Sequence, residues 1–352
     1  MPFSVVEYSA LAGKTRGMYG KLLSNEDYME LMGQKSVCDV ASFLKNNTHY
    51  SEALSGWNEC EIHRGHLENI LRKSLMEDFR KLFSFTHGNV KEFLKIVYLR
   101  YEVESFKHLF RVLEREGTTD LAEDSLLFLN KYDTLNIGKL AKSGNSQIFI
   151  SNLKGTEYYQ VLRPFLTGDE HHNLFHIEMS LDMYYVNLFL KKRKSLLTGV
   201  NAKVVDYSIG TEVEVLNLLW IYRGRMVYNL DRSVILGHLI PHRYKLSREF
   251  IYELVDVKSP DYFKKLVSQT KYADLFLSDS HSFFELNFSE YMYRVHRSFL
   301  RKYGFSIASA LSYVNLKQYE ISNIISIIEG IRYNLPMESI RKYVVGITGN
   351  SA

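Results

Sequence analysis

The chain repeats itself three times, at intervals of just over a hundred residues, and this limits its fold more than any other feature. A block of the form Leu, Thr, one residue, Tyr occurs as Leu44, Thr48 and Tyr50, again as Leu153, Thr156 and Tyr158, and again as Leu266, Thr270 and Tyr272. The threonines lie 108 and 114 residues apart. A second block, Glu-x-x-(Asn/Ser)-apolar, follows each as Glu102/Ser105/Phe106, Glu214/Asn217/Leu218 and Glu320/Asn323/Ile324, with glutamate spacings of 112 and 106. Two blocks in one order at matching offsets do not arise readily by chance. The unit is far longer than a solenoid repeat, so each copy has the size of a small domain. The 352 residues divide on this basis into helical repeats 1–118, 119–235 and 236–352.

Composition supports helical domains. No proline stands between Phe3 and Arg163, which leaves long helices unobstructed. Between the two blocks of each copy runs an apolar stripe at steps of three and four. It is carried by Leu67, Ile70, Leu71 and Leu75 in the first copy, Ile177, Leu181, Tyr184 and Tyr185 in the second, and Phe284, Phe288, Tyr291 and Val295 in the third. Each Glu-x-x-Asn block then falls on a further helix, near 90–114, 209–229 and 308–332, with Glu and Asn on one face. Alternating runs with tight hairpin dipeptides are lacking. The expectation is an all-α fold of three similar helical domains. Seams are expected at Glu114–Asp124 and in a loop near Asp231–Ser247, a short last helix after Pro336, and a frayed tail in the final residues.

No stretch reaches the roughly 18 uninterrupted apolar residues of a membrane span, and the first residues lack the basic start of a signal peptide. The only two cysteines, Cys38 and Cys60, read as unpaired thiols in a reducing cytosol. The net charge of +4 permits an acidic partner but is weak for a nucleic-acid binder.

Several motifs invite a chemical reading and fail it. Gly13-Lys14-Thr15 suggests a phosphate loop, but Tyr8 stands where the first glycine belongs and no strand precedes it. His171, His172 and His176 beside Glu178 could hold a metal, yet Asp169 to His172 reads better as a polar helix start; His63 and His66 have only Cys60 as a companion. Lys191, Lys192, Arg193 and Lys194 close a long helix, where cations complement its dipole. The glutamates Glu102, Glu214 and Glu320 recur in one helical context, whereas a catalytic acid–base pair is asymmetric, so they read as domain-building groups. Neither a catalytic site, a cofactor, a metal, a small-molecule substrate nor nucleic acid is expected.

The stretch Lys317 to Gly330, with Glu320 and Asn323, followed by Leu335, Pro336, Glu338 and Ile340, resembles the C-type stalk proteins of bacterial and archaeal V-type (A-type) ATPases, whose eukaryotic counterparts are the d-type ones. Thr15-Arg16-Gly17, Tyr28, Thr48 and Tyr50 resemble that family's opening, and Glu178, Leu181, Asp182, Tyr184, Tyr185, Asn217 and Leu218 its second domain. Two positions depart from the pattern: Ile325 stands where the family carries Arg, and Ser105 replaces Asn in the first copy. The resemblance implies a funnel of three domains about a pseudo-three-fold axis. It further implies a non-catalytic rotor part on the cytoplasmic face of the membrane, seated between the shaft subunits D and F and the proteolipid ring and coupling ATP hydrolysis to H⁺ or Na⁺ transport. Candidate partner contacts are Arg223, Arg225 and Lys191 to Lys194. The alternatives are a generic helical scaffold for an acidic or membrane-associated protein, and an enzyme with a site between repeats.

Overall fold

The computed structural model describes residues 3–116, 135, 139–140, 142–166, 174–276 and 283–347. The expected seam beyond Glu116, His171 and His172 with the helix start before them, and the tail beyond Ile347 lie outside the described residues. The described residues are helical, without strands, as the apolar periodicity requires. The helices are α1 (Phe3–Tyr19), α2 (Asn25–Met32), α3 (Val37–Asn47), α4 (Ser51–Leu54), α5 (Arg64–Ser84), α6 (Gly88–Glu116), α7 (Ser146–Asn152) and α8 (Glu157–Leu162). They continue as α9 (Leu174–Leu196), α10 (Gly199–Tyr222), α11 (Arg232–His238), α12 (Arg248–Asp256), α13 (Pro260–Val267), α14 (Phe284–Lys302), α15 (Ile307–Arg332) and α16 (Met337–Arg341). A π-turn, Arg223–Val227, extends α10. The expected loop at Asp231–Ser247 is a helix over its first half: Gly237 lies within α11, and only the Pro241 segment is irregular.

Short helices start at side-chain caps. Ser24, Ser36, Asn145, Thr156, Ser247 and Ser259 each accept from the backbone N–H three residues on, which satisfies a donor that the helix leaves open. Two long helices end alike. Asn229 and Asn334 take φ of 47° and 52°, and Leu230 and Leu335 return their N–H groups to Gly224 and Gly330 at 2.7 and 2.9 Å. At Gly330 this is a left-handed helix stop, a conformation that asparagine tolerates. Both glycines are required by packing. A Cβ at Gly330 would lie 2.5 Å from Ile340, and one at Gly224 would lie 2.9 Å from Ile235. The repeat therefore includes a third block, Tyr-Asn-Leu at 228–230 and 333–335.

The chain forms two compact units, residues 1–86 with 198–352, and residues 87–197. In the smaller unit α6 and α9 pack along their lengths, with Phe93 edge-on to Phe189 at 5.1 Å and the Arg111–Glu178 ion pair at 2.5 Å. Lys107, nearly buried, bridges Glu104 and Asp182 at 2.9 and 3.0 Å. In the larger unit α15 is the core rod. It is buried on every side, polar residues Lys317, Glu320 and Asn323 included, and packs on α14, α1 and α5. A second core joins α10 to α12, α13 and α14, built on Phe263, Phe276 and Phe284 around Tyr222. The unit boundaries at 86/87 and 197/198 do not coincide with the sequence thirds 1–118, 119–235 and 236–352; α6 goes with the residues that follow it.

The cysteines correct an expectation. Cys38 and Cys60 are bonded to each other, Cα–Cα 4.5 Å, because the 3₁₀ turn Glu59–Glu61 packs on the first turn of α3. They are not the unpaired thiols of the composition argument. The bridge spans 22 residues, and closing such a loop restricts the unfolded chain by about 3 kcal/mol. Denaturant unfolding of Cys60→Ser against the parent should show a loss of about that size, absent when both are measured under a reductant.

Candidate functional site

The three Thr-x-Tyr blocks are built alike. Thr48 and Thr270 end a helix by donating their hydroxyls to Leu44 and Val267 carbonyls at 2.6 and 2.8 Å, and accept from the Tyr50 and Tyr272 N–H at 3.2 and 3.1 Å. Thr156 donates to Leu153 at 2.7 Å and caps α8. Each threonine thus sets the direction in which the chain leaves its helix, and the tyrosine two residues on points into the core. Tyr50 and Tyr272 are fully buried, Tyr158 nearly so.

Each tyrosine donates to a glutamate of the second block, one block out of step. Tyr158 reaches Glu102 at 2.6 Å across 56 residues, and Tyr272 reaches Glu214 at 2.5 Å across 58. The third pairing closes the chain: Tyr50 donates to Glu320 at 2.9 Å, a separation of 270 residues. Such charge-assisted bonds are among the stronger ones in a core. The asparagines act beside them. Asn217 clamps Ile240 by both backbone groups at 3.0 and 2.9 Å, and Asn323 clamps Val345 in the same way at 2.8 Å each. Ser105 is too short for that clamp and donates to its own helix at Tyr101, 2.9 Å. Ile325, the other departure, is half-buried on α15.

The three carboxylates live in different electrostatic settings. Glu320 is surrounded by donors: Leu23 N–H at 2.6 Å, Tyr50, and Lys317 at 2.9 Å, with His49 at 3.3 Å. Burial would raise its pKa, but the Lys317 ammonium and then His49 outweigh it and hold the carboxyl at about 2. Glu214 accepts from the backbone N–H groups of Tyr244, Lys245 and Leu246 as well as Tyr272. Its nearby ammonium arrives from the opposite side. Lys271, the middle residue of Thr-x-Tyr, donates to Thr211 at 3.1 Å, and Thr211 stands where Lys317 stands before Glu320. Lys271 is ringed by Tyr207, Tyr244 and Tyr272 at 5.1, 4.5 and 4.7 Å from the ring centres. Burial lowers its pKa to about 8. Glu102 has neither lysine: Leu99 and Glu157 hold those two positions, and burial raises its pKa against the single bond from Tyr158.

These arrangements are stabilising contacts in the core. Glu320 is ionised at neutral pH with its acceptors occupied, and burial pushes Tyr50, Tyr158 and Tyr272 further up, so all three stay donors. Gly13, Lys14 and Thr15 lie within α1, Thr15 buried and Lys14 over the Phe85 ring at 5.7 Å, so no phosphate loop exists there. Among the described residues no group of three His, Cys, Asp or Glu is disposed to hold a metal. His63 precedes α5, and His66 packs edge-on to Trp57 at 4.0 Å. No described helix is long and apolar enough to cross a membrane.

A profile described as ATP synthase (C/AC39) subunit matches residues 11–343. The chain belongs to that family. The C subunit of the A-type ATP synthase of Methanosphaera stadtmanae is 22% identical over 328 residues, 90% of this chain and 82% of the relative. That of Methanosarcina barkeri is 26% identical over 353 residues, 97% and 93% of the two chains. That of Thermococcus kodakarensis is 22% identical over 343 residues, 96% and 90%.

Within this family member the expected residues separate into two groups. Thr48, Tyr50, Glu102, Glu214, Asn217, Thr270, Tyr272, Glu320 and Asn323 form the buried contacts above, and Glu178 pairs with Arg111. The suggested cations differ: Lys191, Lys192 and Lys194 are exposed at the end of α9, whereas Arg223 pairs with Glu285 at 2.9 Å and Arg225 donates to the Leu230 carbonyl at 3.1 Å. The Tyr-Asn-Leu block is absent from the sequence expectations, although 105 residues separate its two copies. The signal was present in the shared Asn-Leu after α10 and α15.

The carboxylates predict opposite responses. Glu320→Gln strands the Lys317 ammonium in the core and should cost about 3–5 kcal/mol of unfolding free energy at pH 7. Glu102→Gln keeps an acceptor for Tyr158 and removes a carboxyl that is costly to ionise, so it should be neutral or stabilising there. The pH sign follows: the folded pKa of Glu320 is depressed, so its contribution is present above the unfolded value and fades as pH falls toward about 2. Glu102, raised on folding, favours the fold at low pH and loses that contribution as pH rises through its folded pKa. Unfolding curves of both variants across acid and neutral pH measure these differences.

Proposed function

We propose that this chain is a non-catalytic central-stalk part of an A/V-type rotary ATPase, a socket that couples the shaft subunits D and F to the proteolipid ring for H⁺ or Na⁺ transport. The observation that carries the reading is the Tyr50–Glu320 closure. It ties the first segment of the chain to its last long helix, so a load on either end of the sequence is borne by one packed body. The bonds support a reading in three modules: α6 with residues up to 197, α10 with residues up to α14, and α15 with the first 86 residues. Each is a Glu helix joined to the Thr-x-Tyr block of the next copy.

The larger unit also offers two distinct ends. The 26 residues of α15 span about 39 Å. At its C-terminal end Tyr333, Leu335 and Tyr343 are 71%, 43% and 53% exposed, with Tyr228 and Leu230 exposed at the matching end of α10. Its N-terminal end is cationic. A body with two unlike ends suits a part that joins two unlike partners. Lys191, Lys192 and Lys194 are candidates for acidic loops of neighbouring proteins in the complex. Arg223 and Arg225 are weaker ones, because each already has an internal partner. The placement is peripheral, on the cytoplasmic face of the membrane.

Affinity purification of tagged protein from native membranes should recover shaft and ring proteins, and the isolated chain should hydrolyse no ATP. Failure to recover either class, or turnover by the chain alone, overturns the coupler; recovery of unrelated acidic proteins instead would favour a generic scaffold.

A further inference from the structure

The N-terminal end of α15 carries cations that the fold leaves unpaired. Arg16 of α1 and Arg301 and Lys302 in the last turn of α14 are exposed and form no ion pair among the described residues. The neighbouring stretches 8–20, 79–86 and 297–306 contain no Asp or Glu, and they add Lys14, Arg80, Lys81 and Arg297. Of these cations Lys81 has an acidic partner, Asp78 at 3.2 Å. The opposite end of α15 differs. There Glu329 takes up both Arg64 at 2.5 Å and Arg332 at 3.1 Å.

Aromatic rings are interleaved with these cations. Phe85, Tyr303 and Phe305 are 38%, 38% and 45% exposed. The Arg16 guanidinium lies 5.1 Å from the centre of the Phe305 ring and Lys14 lies 5.7 Å from that of Phe85, so the two phenylalanines flank one helix. A Cβ on the buried Gly304 would lie 3.0 Å from the Arg16 guanidinium and 3.1 Å from the Leu300 carbonyl oxygen, so the turn packs closely under this side chain. An acidic protein loop would be served by cations alone. Half-exposed phenylalanines and a tyrosine set beside arginines and lysines fit an interface where rings enter the headgroup layer and cations meet phosphates.

We propose that this end of the larger unit, built from Arg16, Phe85, Arg301, Lys302, Tyr303 and Phe305, docks on the headgroups of anionic phospholipids. The inference deepens the membrane-side placement of the proposed coupler and rests on it for its physiological setting, but its chemistry is testable alone. Near an anionic surface each Lys or Arg contributes about fivefold in affinity.

The test is co-sedimentation of the full-length chain with phosphatidylcholine vesicles, with and without phosphatidylglycerol. Binding should require phosphatidylglycerol and fall as salt is raised. The double variant Arg301→Glu/Lys302→Glu should lose at least about thirtyfold in affinity, and Phe305→Ser should weaken binding at unchanged salt dependence. Tyr333→Ser, at the other end, should change nothing. Circular dichroism checks the fold of each variant, and the salt titration of the unaltered chain needs no variant. Absence of binding to phosphatidylglycerol vesicles at low salt overturns the proposal, as does binding that a folded double variant retains. If the purified ring in neutral detergent captures the chain through these cations while vesicles do not, the surface is one for acidic protein, and the coupler stands without the lipid. Vesicle binding without recovery of ring or shaft proteins leaves the lipid contact and removes the coupler.

Discussion

A buried hydrogen bond from a tyrosine to a carboxylate, made three times, underlies the whole architecture. A carboxylate in a helical core is costly unless donors surround it. The tyrosine supplies one donor while its ring fills core volume. Because each threonine fixes where its tyrosine emerges, the bond can form only when two distant segments are docked in one register. The bond is therefore local chemistry with a long reach, and at Tyr50 and Glu320 it spans nearly the full chain.

The three versions solve the charge problem differently. Around Glu320 the neutralising ammonium comes from the same helix, as Lys317. Near Glu214 it comes from the docked block, as Lys271, with Thr211 on the helix accepting its hydrogen bond. Around Glu102 no ammonium is present among the described residues, and the carboxyl depends on Tyr158 in a setting that raises its pKa. One pattern thus tolerates cation, exchanged cation, or none. The departure at Ser105 belongs to the same module as Glu102, whose helix lacks the asparagine clamp of the other two.

Contrasting ends give the larger unit a direction. At one end of α15 acidic side chains quench the cations and tyrosines project; at the other, cations stand unquenched among exposed phenylalanines. Neither end resembles the interior between them, where Lys317, Glu320 and Asn323 are paired by bonds within the chain. The Cys38–Cys60 bridge adds a covalent clasp beside the Tyr50 block, on the segment that must stay docked for the Tyr50–Glu320 closure to hold.

Helical class, the three long stripes, and the identity of the threonine, tyrosine, glutamate and asparagine blocks were determined by the sequence alone, because helical periodicity and repeated residue types are local properties. Sequence spacing could not show which copies join. Equal offsets fit pairing within each third as well as pairing with the next, and only docking in three dimensions put Glu102 with Tyr158, Glu214 with Tyr272 and Glu320 with Tyr50. Likewise, nothing in the chain order marks Lys271 as the stand-in for Lys317, brings Cys60 to Cys38, or leaves Arg16 beside Phe305 without an ion pair among the described residues. Those outcomes depend on which surfaces face each other once the helices pack, and that choice belongs to the tertiary structure.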